Sequence, residues 1–347
     1  MPIPPSFGRS DYQRNDMNTT RWGIIGTGKI ATLFAQALHG TPGAVLAGVA
    51  SRSSDSADAF AHAHGVAKAY GSYQALVDAG DIDLVYIATP HTEHAANAML
   101  ALNAGKGVLC EKPFTMHRAE AEQVVALARA KKLFLMEAMW TRFMPALAEV
   151  QRIVASGEIG TARQVTADFG FTANAGPEHR LFNRALGGGA LLDLGIYPLS
   201  IAAALLGPVT EVKAQAEIGP TGVDLNTTFT LRHADGGMSA CACSVTTHTP
   251  VELTVSGPLG FIRMNTRFHE SQSITVTRAD GVARTIATPV LGYGYVHEIV
   301  EAQRCWHAGL IESPLMTHAE TLALMGVMDA IRAQIGLRYD ADDALPA

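Results

Sequence analysis

The sequence has 347 residues, of which 48% are hydrophobic and 17% charged, and its formal net charge is −6. Such a chain is long enough for two domains and buries sizeable cores, which excludes a disordered protein. It has no dense block of Lys or Arg and no apolar run of the length of a membrane span, so nucleic acid and membrane are not expected as partners.

The first 20 residues, MPIPPSFGRSDYQRNDMNTT, are polar and lack the apolar stretch of a signal peptide. We predict a flexible arm over residues 1–20 and a cytoplasmic protein. The cysteines do not form the two closely spaced pairs of a zinc site, so no metal is predicted. They are expected to be buried free thiols of a reducing compartment: Cys110, Cys241, Cys243 and Cys305.

Short apolar runs alternate with helical patterns over residues 21–138. The predicted strands are RWGIIG, AVLAGVASRS, LVYIATP, GVLCEKP and LFLMEAMW. The predicted helices are KIATLFAQALHG, SADAFAHAHG, AYGSYQALVDAG, HAANAMLALNAG and RAEAEQVVALARAKK. This alternation is typical of βαβ units and predicts a doubly wound parallel sheet, a dinucleotide-binding domain of the Rossmann type.

Residues 139–347 have a different pattern, rich in Thr and Val and punctuated by turns. The predicted strands are RQVTADFGFTA, EVKAQAEIG, NTTFTLRHADGGMSACACSVTTH, VELTVSG and SITVTRADGVARTIAT. A helix over GGGALLDLGIYPLS interrupts them, and YVHEIVEAQRCWHAG and HAETLALMGVMDAIRAQIG are predicted as the last helices. We predict an α+β domain with a mostly antiparallel sheet that binds substrate and forms the oligomer.

The stretch GIIGTGKIA joins the first predicted strand to the first helix. Gly26, Gly28 and Ala31 have the G-x-G-x-x-G/A spacing of dinucleotide-binding turns. The first glycine makes a tight turn, the second lets the backbone approach a pyrophosphate, and the last small residue lets helix and strand pack closely. Cofactor contacts are predicted at Gly26, Thr27, Gly28, Lys29 and Ile30.

The end of the second strand indicates which cofactor is bound. NAD sites usually have an Asp or Glu there that binds the ribose 2′-hydroxyl, whereas this chain has Ser51, Arg52 and Ser53. A carboxylate would repel a 2′-phosphate, and a guanidinium with neighbouring hydroxyls would bind it. The sequence favours NADP over NAD; the alternative is a solvated Arg in a polar loop.

The apolar segment GGGALLDLGIYP carries two polar groups, Asp193 and Tyr197, four residues apart. On a helix their side chains would lie ~5–6 Å apart, behind glycines that let the backbone pass close to a ligand. A phenol with an ordinary pKa of about 10 needs a nearby positive charge to act as a base near neutral pH. Pro198 predicts that the helix begins or kinks here. The alternative is a core tyrosine bonded by Asp193.

CEKPF follows the fourth predicted strand, so Lys112 lies where ligands of parallel sheets bind. The glycine-rich turn, ATPHTEHA, EKP and GGGALLDLGIYP occur in this order, and with them the chain resembles the Gfo/Idh/MocA family over about residues 20–335. EAMWTRFMPA and Tyr197 are most similar to the branch of dimeric dihydrodiol dehydrogenases and NADP-linked aldose dehydrogenases.

The resemblance implies that Lys112 and Tyr197 meet at the nicotinamide. Tyr197 would then take the proton of a substrate hydroxyl as hydride leaves its carbon, and Lys112 would lower the pKa of the phenol. Asp193 would orient the pair or hold a second hydroxyl. The resemblance also implies an open second sheet that forms dimers or dimers of dimers, and a cis Lys112–Pro113 bond.

Other candidates stand beside these motifs. Further predicted cofactor contacts are Thr89, Pro90, His94 and Glu111. Predicted substrate contacts, for which core packing or a surface role is the alternative, are Trp140, Arg142, Phe143 and Arg180.

The leading hypothesis is an NADP-dependent dehydrogenase or reductase that acts on a CH–OH group of an aldose or cyclic diol. One alternative is a non-catalytic NADP-binding regulator of the same family, against which the presence of both Lys112 and Tyr197 argues. Others are an NAD-dependent inositol or polyol dehydrogenase, and an enzyme with tightly held cofactor that exchanges two sugars.

Overall fold

The computed structural model describes residues 19–344, so most of the predicted arm lies outside the described residues. Contacts divide the chain into two compact units. Of the described residues, the first contains 19–140 together with Leu291–Leu322, and the second contains Thr141–Val290 and residues 323–344. The predicted domains, 21–138 and 139–347, divide the chain once, whereas the contact units return Leu291–Leu322 to the first unit.

The first unit is built on a six-stranded parallel sheet. Its strands are β1 Thr20–Ile25, β2 Ala44–Ala50, β3 Ala69–Tyr70, β4 Leu84–Ile87, β5 Gly107–Glu111 and β6 Leu135–Ala138. The connecting helices are α1 Lys29–His39, α2 Ser54–His64, α3 Tyr73–Val77, α4 His94–Asn103 and α5 Arg118–Lys131. The strand order is 3-2-1-4-5-6, with every pairing parallel. This is the order of doubly wound dinucleotide-binding sheets, and the predicted fold is confirmed.

One predicted helix of this unit was wrong in its first half. Ala69 and Tyr70 form β3 and pair with β2, whereas α3 begins only at Tyr73. Ser72 caps α3, because its side chain accepts a hydrogen bond from the amide of Ala75 at 3.2 Å. A serine in this position favours a helix start, so the helical pattern belongs only to the residues after it.

The second unit is built on an eight-stranded sheet. Its helices are α6 Pro145–Ser156 and α7 Ile196–Leu206. Its strands are β7 Gln164–Gly170, β8 Val209–Ile218, β9 Asp224–His233, β10 Met238–Ser244, β11 Leu253–Gly257, β12 Gly260–Met264, β13 Ser273–Arg278 and β14 Ala283–Ala287. Only β7 and β10 pair in parallel among these described strands. The prediction of a mostly antiparallel sheet is confirmed, although α6 and β12 were not predicted.

The helical stretch before and along α7 lies in the core of the second unit. By length and composition alone, Arg184–Leu206 could cross a membrane, although no such run was expected from the sequence. Its most apolar 18-residue stretch is 83% buried inside the protein, as in a core helix, so its composition is weak evidence for a membrane span.

The chain then returns to the first unit with α8, Tyr295–His307, which packs on α1. Gln303 of α8 accepts a hydrogen bond from the indole of Trp22 in β1 at 3.2 Å. The last long helix is α9, His318–Ile335, whose first residues belong to the first unit and whose remainder belongs to the second. All four cysteines are buried and free, as predicted.

Candidate active site

The amino end of α1 forms a cradle for an anion. Gly26 has a φ of +106°, and a Cβ there would lie 2.7 Å from the carbonyl oxygen of Ala88, so only glycine fits. Gly28 caps α1 with no side chain, and an added Cβ would meet no atom within 4 Å. The first turn of α1, all of it described, contains no acidic residue. The first N–H groups and the helix dipole therefore face a space suited to a pyrophosphate.

The other residues predicted for this cradle lie around it. Thr27 and Ile30 are half-buried, and Lys29 is exposed as the first residue of α1. Ala31 is fully buried, which allows the close approach of helix and sheet that the motif requires.

The segment between β2 and α2 contains the residues predicted to distinguish NADP from NAD, Ser51, Arg52 and Ser53. Ser53 caps α2 by accepting a hydrogen bond from the amide of Ser56, and its own amide donates to the hydroxyl of Ser51, both at 3.4 Å. Arg52 is exposed and has no carboxylate partner within residues 19–344. A guanidinium that is not neutralised by an acid is suited to a phosphate.

The end of β4 is tied to the turn that follows β5. The ring nitrogens of His94 lie 2.9 Å from the carbonyl oxygen of Pro113 and 3.0 Å from that of Thr89. Asn97 donates to the hydroxyl of Thr89 at 3.2 Å, and Pro90 is exposed beside it. Burial lowers the pKa of His94, while its hydrogen bonds to the two carbonyls oppose that change. His94 therefore connects the two loops at this edge of the sheet.

Two buried carboxylates, those of Glu111 and Glu137, hold the backbone of the EKP turn (residues 111–113) and of the residue after it by hydrogen bonds. The buried carboxylate of Glu111 accepts a hydrogen bond from the hydroxyl of Tyr86 and another from the amide of Lys112 at 3.1 Å. Glu137 in β6 accepts from the amide of Phe114 at 3.1 Å. The Lys112–Pro113 peptide bond is cis, as the resemblance predicted. Half-buried Lys112 thus projects from a turn whose backbone is fixed on both sides.

In the second unit, the glycine-rich turn leads into an unusual helix start. Leu191–Gly195 forms one π-helical turn, and α7 begins at Ile196, two residues before Pro198, as the proline predicted. π turns are rare and are frequent at functional sites.

Asp193 lies in this π turn and pairs with Arg180. The two guanidinium nitrogens of Arg180 donate to its two carboxylate oxygens at 3.1 and 3.2 Å. The side chain of Asp193 is 7% exposed, whereas that of Arg180 is 52% exposed. Arg180 was predicted as a substrate contact and Asp193 as a partner of Tyr197. The ion pair between Arg180 and Asp193 was not predicted.

Tyr197 follows within the first turn of α7 and is buried. Its ring lies 5.2 Å from that of Phe169 and 5.6 Å from that of His269, measured between centroids. Phe169 and His269 stack on each other at 4.3 Å. The phenol therefore stands against an aromatic wall contributed by β7 and by the segment after β12, which no local sequence motif indicated.

The remaining predicted substrate contacts lie in one short helical turn after β6, Trp140–Phe143. Trp140 is buried in the first unit and stacks on Tyr295 with a centroid distance of 5.3 Å. Phe143 is buried in the second unit, and Arg142 is half-buried beside it in sequence. Within the described residues, no group of three His, Cys, Asp or Glu side chains could hold a metal ion.

The parallel sheet with strand order 3-2-1-4-5-6 and the anion cradle at α1 define a dinucleotide-binding protein with a second domain built on a mostly antiparallel sheet. Residues 20–139 match the oxidoreductase family with an NAD-binding Rossmann fold, and residues 147–263 match the Gfo/Idh/MocA C-terminal domain. The chain belongs to the Gfo/Idh/MocA oxidoreductase family. The predicted family, enzyme class and nicotinamide cofactor are confirmed by these matches.

Individual relatives cover nearly the whole chain. A trans-1,2-dihydrobenzene-1,2-diol dehydrogenase of Danio rerio is 36% identical over 93% of this chain and 98% of its own length. A D-xylose 1-dehydrogenase (NADP(+)) of Hypocrea jecorina is 35% identical over 92% of this chain and 93% of its own. A 3-ketoreductase from Actinomadura kijaniata, solved with NADP and TDP-benzene, is 28% identical with a TM-score of 0.82, over 92% and 98% of the two chains.

Proposed function

We propose that this protein is an NADP-dependent dehydrogenase or reductase of sugar or cyclic diol hydroxyls, with Tyr197 as general acid and base and Lys112 as its cationic partner. The observation that carries the proposal is the helix start at Leu191–Gly195, where a buried carboxylate paired with Arg180 precedes a buried phenol by one turn. The names of the dihydrodiol and D-xylose dehydrogenases support the two substrate classes.

The preference for NADP rests on the residues after β2. Arg52 has no carboxylate partner among the described residues, and Ser51 stands where NAD enzymes usually have an acid. The D-xylose dehydrogenase is named for NADP, and the 3-ketoreductase was solved with it. Gly26, Gly28 and the amino end of α1 would hold the pyrophosphate, and Arg52 with its neighbouring serines would hold the 2′-phosphate. When bound, NADP supplies the nicotinamide that exchanges hydride with the substrate carbon.

Tyr197 is the better proton carrier of the two polar groups on this helix. Both carboxylate oxygens of Asp193 already accept hydrogen bonds from one guanidinium, so we do not assign the proton transfer to it. We assign Asp193 and Arg180 the role of holding a second hydroxyl of the substrate.

In this proposal Tyr197 transfers the proton and Lys112 binds the reacting oxygen. In oxidation, the oxygen of Tyr197 takes the proton of the reacting hydroxyl, and in reduction it returns that proton to the carbonyl oxygen. The ammonium of Lys112 hydrogen-bonds the reacting oxygen and favours the ionised phenol electrostatically. The brace formed by Glu111 and Glu137 holds the backbone of the EKP turn and so fixes the origin of the lysine side chain.

A substrate screen tests the proposal. Aldoses, inositols and trans-dihydrodiols are offered with NADP and with NAD, and reduced cofactor is followed by its absorbance. We expect turnover of aldoses or dihydrodiols with NADP. Turnover of inositols with NAD alone would support the polyol dehydrogenase instead, and binding of NADPH without turnover of any substrate, in either direction, would support a regulator.

We further propose that the open face of the eight-stranded sheet joins two copies of the chain. That face forms a groove lined mostly by small or polar side chains of β7 to β11, among them Thr166, Lys213 and Thr228. Sedimentation of the wild type should give the mass of a dimer or tetramer. Replacing exposed Thr228 by Glu should produce monomers, because the contact between the two sheets would then bury unpaired carboxylates. A monomeric wild type would refute the proposal.

A further inference from the structure

We infer that Asp224 and Tyr339 are positioning residues of the active site, which hold the turn Gly187–Gly189 and the start of the helix that carries Asp193 and Tyr197. This inference rests on the proposed role of Tyr197. Neither residue belongs to a sequence motif, and neither was predicted as part of the site.

Asp224 acts as the cap of the π turn. It is the first residue of β9 and fully buried, and its Oδ2 accepts hydrogen bonds from the amide of Leu191 at 2.7 Å and the hydroxyl of Thr227 at 2.6 Å. Leu191 is the first residue of the π turn, whose opening N–H groups have no partner within the helix. A side chain distant in sequence thus satisfies the helix start, which in most helices is the task of the preceding residue.

The glycine turn is closed between Asp224 and Tyr339. Gly189 has a φ of +119°, and a Cβ there would lie 2.2 Å from Oδ1 of Asp224 and 3.2 Å from the hydroxyl oxygen of Tyr339. The hydroxyl of Tyr339 donates to the carbonyl oxygen of Gly188 at 2.5 Å. The turn therefore lies between the buried carboxyl group of Asp224, which leaves no room for a side chain at Gly189, and the hydroxyl of Tyr339, which bonds Gly188.

Tyr339 is itself fixed by a buried arginine. The guanidinium of Arg332 in α9 pairs with Asp342 at 2.8 Å and lies 5.5 Å from the centroid of the Tyr339 ring. The amide of Tyr339 also donates to Asp342 at 2.8 Å. The segment after α9 consequently has a defined structure that reaches back to the glycine turn.

The hydrogen bonds of Asp224 and Tyr339 fix the helix start and therefore the positions of Asp193 and Tyr197. Asp193 and Tyr197 are both buried, so a shift of the helix start moves them within a packed interior, where neighbouring side chains leave no room for compensation. A displacement of 1 Å in a catalytic group can cost about 100-fold in rate. We call Asp224 and Tyr339, with their hydrogen bonds to Leu191 and Gly188, the clamp. Loss of the clamp should therefore affect turnover more than it affects binding of the dinucleotide.

Three variants test the inference, each measured for kcat, KM, thermal midpoint and the Kd of NADPH. Asp224→Ala should lower kcat by about 100-fold and Tyr339→Phe by about 10-fold, with the Kd of NADPH within about twofold of wild type. Asp224→Asn should restore kcat to within about threefold of wild type, because its amide oxygen can still accept from Leu191.

Ser239→Ala is the matched control. Its hydroxyl hydrogen-bonds His233 at 2.6 Å in the buried interior at the other end of β9, so the variant loses a comparable interaction away from the clamp. It should lower the thermal midpoint and leave kcat unchanged. If Tyr339→Phe and Asp224→Ala behave like this control, or if Asp224→Asn is as slow as Asp224→Ala, the inference is wrong.

Tyr197→Phe separates this inference from the proposed function. Full turnover in Tyr197→Phe would refute the role of Tyr197 itself, whatever the other variants do. A slow Tyr197→Phe together with wild-type kcat in Asp224→Ala and Tyr339→Phe would refute the clamp alone. Should Asp224→Ala fail to fold, Tyr339→Phe decides the matter, since it removes a single hydroxyl and keeps the ring that faces Arg332.

Discussion

The cofactor cradle at α1 and the helix start that carries Tyr197 differ in how far apart along the chain their contacting residues lie. In the first unit, the cradle is formed by consecutive residues around Gly26 and Gly28 and by the ends of neighbouring strands. In the second unit, the glycine turn accepts a hydrogen bond from a residue 151 positions away, and the π turn is capped from 33 positions away. A local motif therefore specifies the first site, whereas folding of the whole unit is needed for the second.

Variants around Tyr197 are therefore expected to change catalysis, whereas variants of the cradle and of Arg52 are expected to change cofactor binding. Tyr197→Phe should give the largest effect, because general acid–base catalysis is typically worth about 10²- to 10⁴-fold. Turnover should fall by that factor while fluorescence titration gives an unchanged Kd for NADPH. Near-normal turnover, with chemistry shown to be rate-limiting by a deuterium isotope effect, would remove Tyr197 from the mechanism.

Arg52→Ala should affect only cofactor choice. A hydrogen bond to a charged group contributes roughly 1.5 to 3 kcal/mol, which corresponds to about 10- to 150-fold in affinity. NADPH binding should weaken by about that factor, and NADH binding should hardly change. Arg129→Ala, which removes an exposed arginine from the last turn of α5, serves as the charge-matched control. Equal loss of both cofactors, or equal wild-type affinity for the two, would show that Arg52 does not read the 2′-phosphate.

The two glycines of the cradle should respond differently to the same change. Gly26→Ala should destabilise the first unit by about 1–3 kcal/mol, because alanine is strained at a positive φ and its Cβ would meet the carbonyl of Ala88. Gly28→Ala should keep normal stability, since its Cβ meets no atom, but should weaken NADPH binding by occupying the space in front of α1. Thermal midpoints and titrations of both variants check this. Similar stability in the two variants would contradict the observed backbone.

A smaller effect is expected from His297, a residue of the first unit outside the cradle. Burial lowers its pKa to about 4, and its Nε2 accepts a hydrogen bond from the amide of Leu291 at 3.2 Å. A histidine with a depressed pKa in the folded state contributes stability above its ordinary pKa of about 6.5 and loses it as the pH falls towards 4.

Between pH 7 and pH 5, the wild type should lose roughly 1 to 2 kcal/mol more of its unfolding free energy than His297→Gln. Denaturant titrations at both pH values measure this difference. His62→Gln, which replaces an exposed histidine of the same unit, should lose as much as the wild type. A wild type that loses no more than His297→Gln would show that His297 is not buried as a neutral imidazole.

The accuracy of the sequence-based predictions follows the same division between local and long-range structure. The parallel sheet, the glycine spacing and the buried cysteines could be predicted because period, turn chemistry and composition act over a few residues. The split of AYGSYQALVDAG into a strand and a helix could not, since β3 exists only through its pairing with β2. The helical pattern correctly predicted one helical stretch for Asp193 and Tyr197, whereas the meeting of their side chains on one face stays a prediction. The pattern could not predict the π turn or the pairing of Asp193 with Arg180.

The sequence by itself determined the class of the protein. Backbone conformation requires glycines at set intervals, and ligand charge requires polar residues at strand ends and a lysine after a buried strand. Each of these requirements is visible in the order of residues. Tertiary structure alone decided what surrounds Tyr197 and what holds its helix. Phe169, His269, Asp224 and Tyr339 come from separate strands and segments. No periodicity connects such residues, because only the packing of the finished sheet and the return of the chain after α9 bring them together.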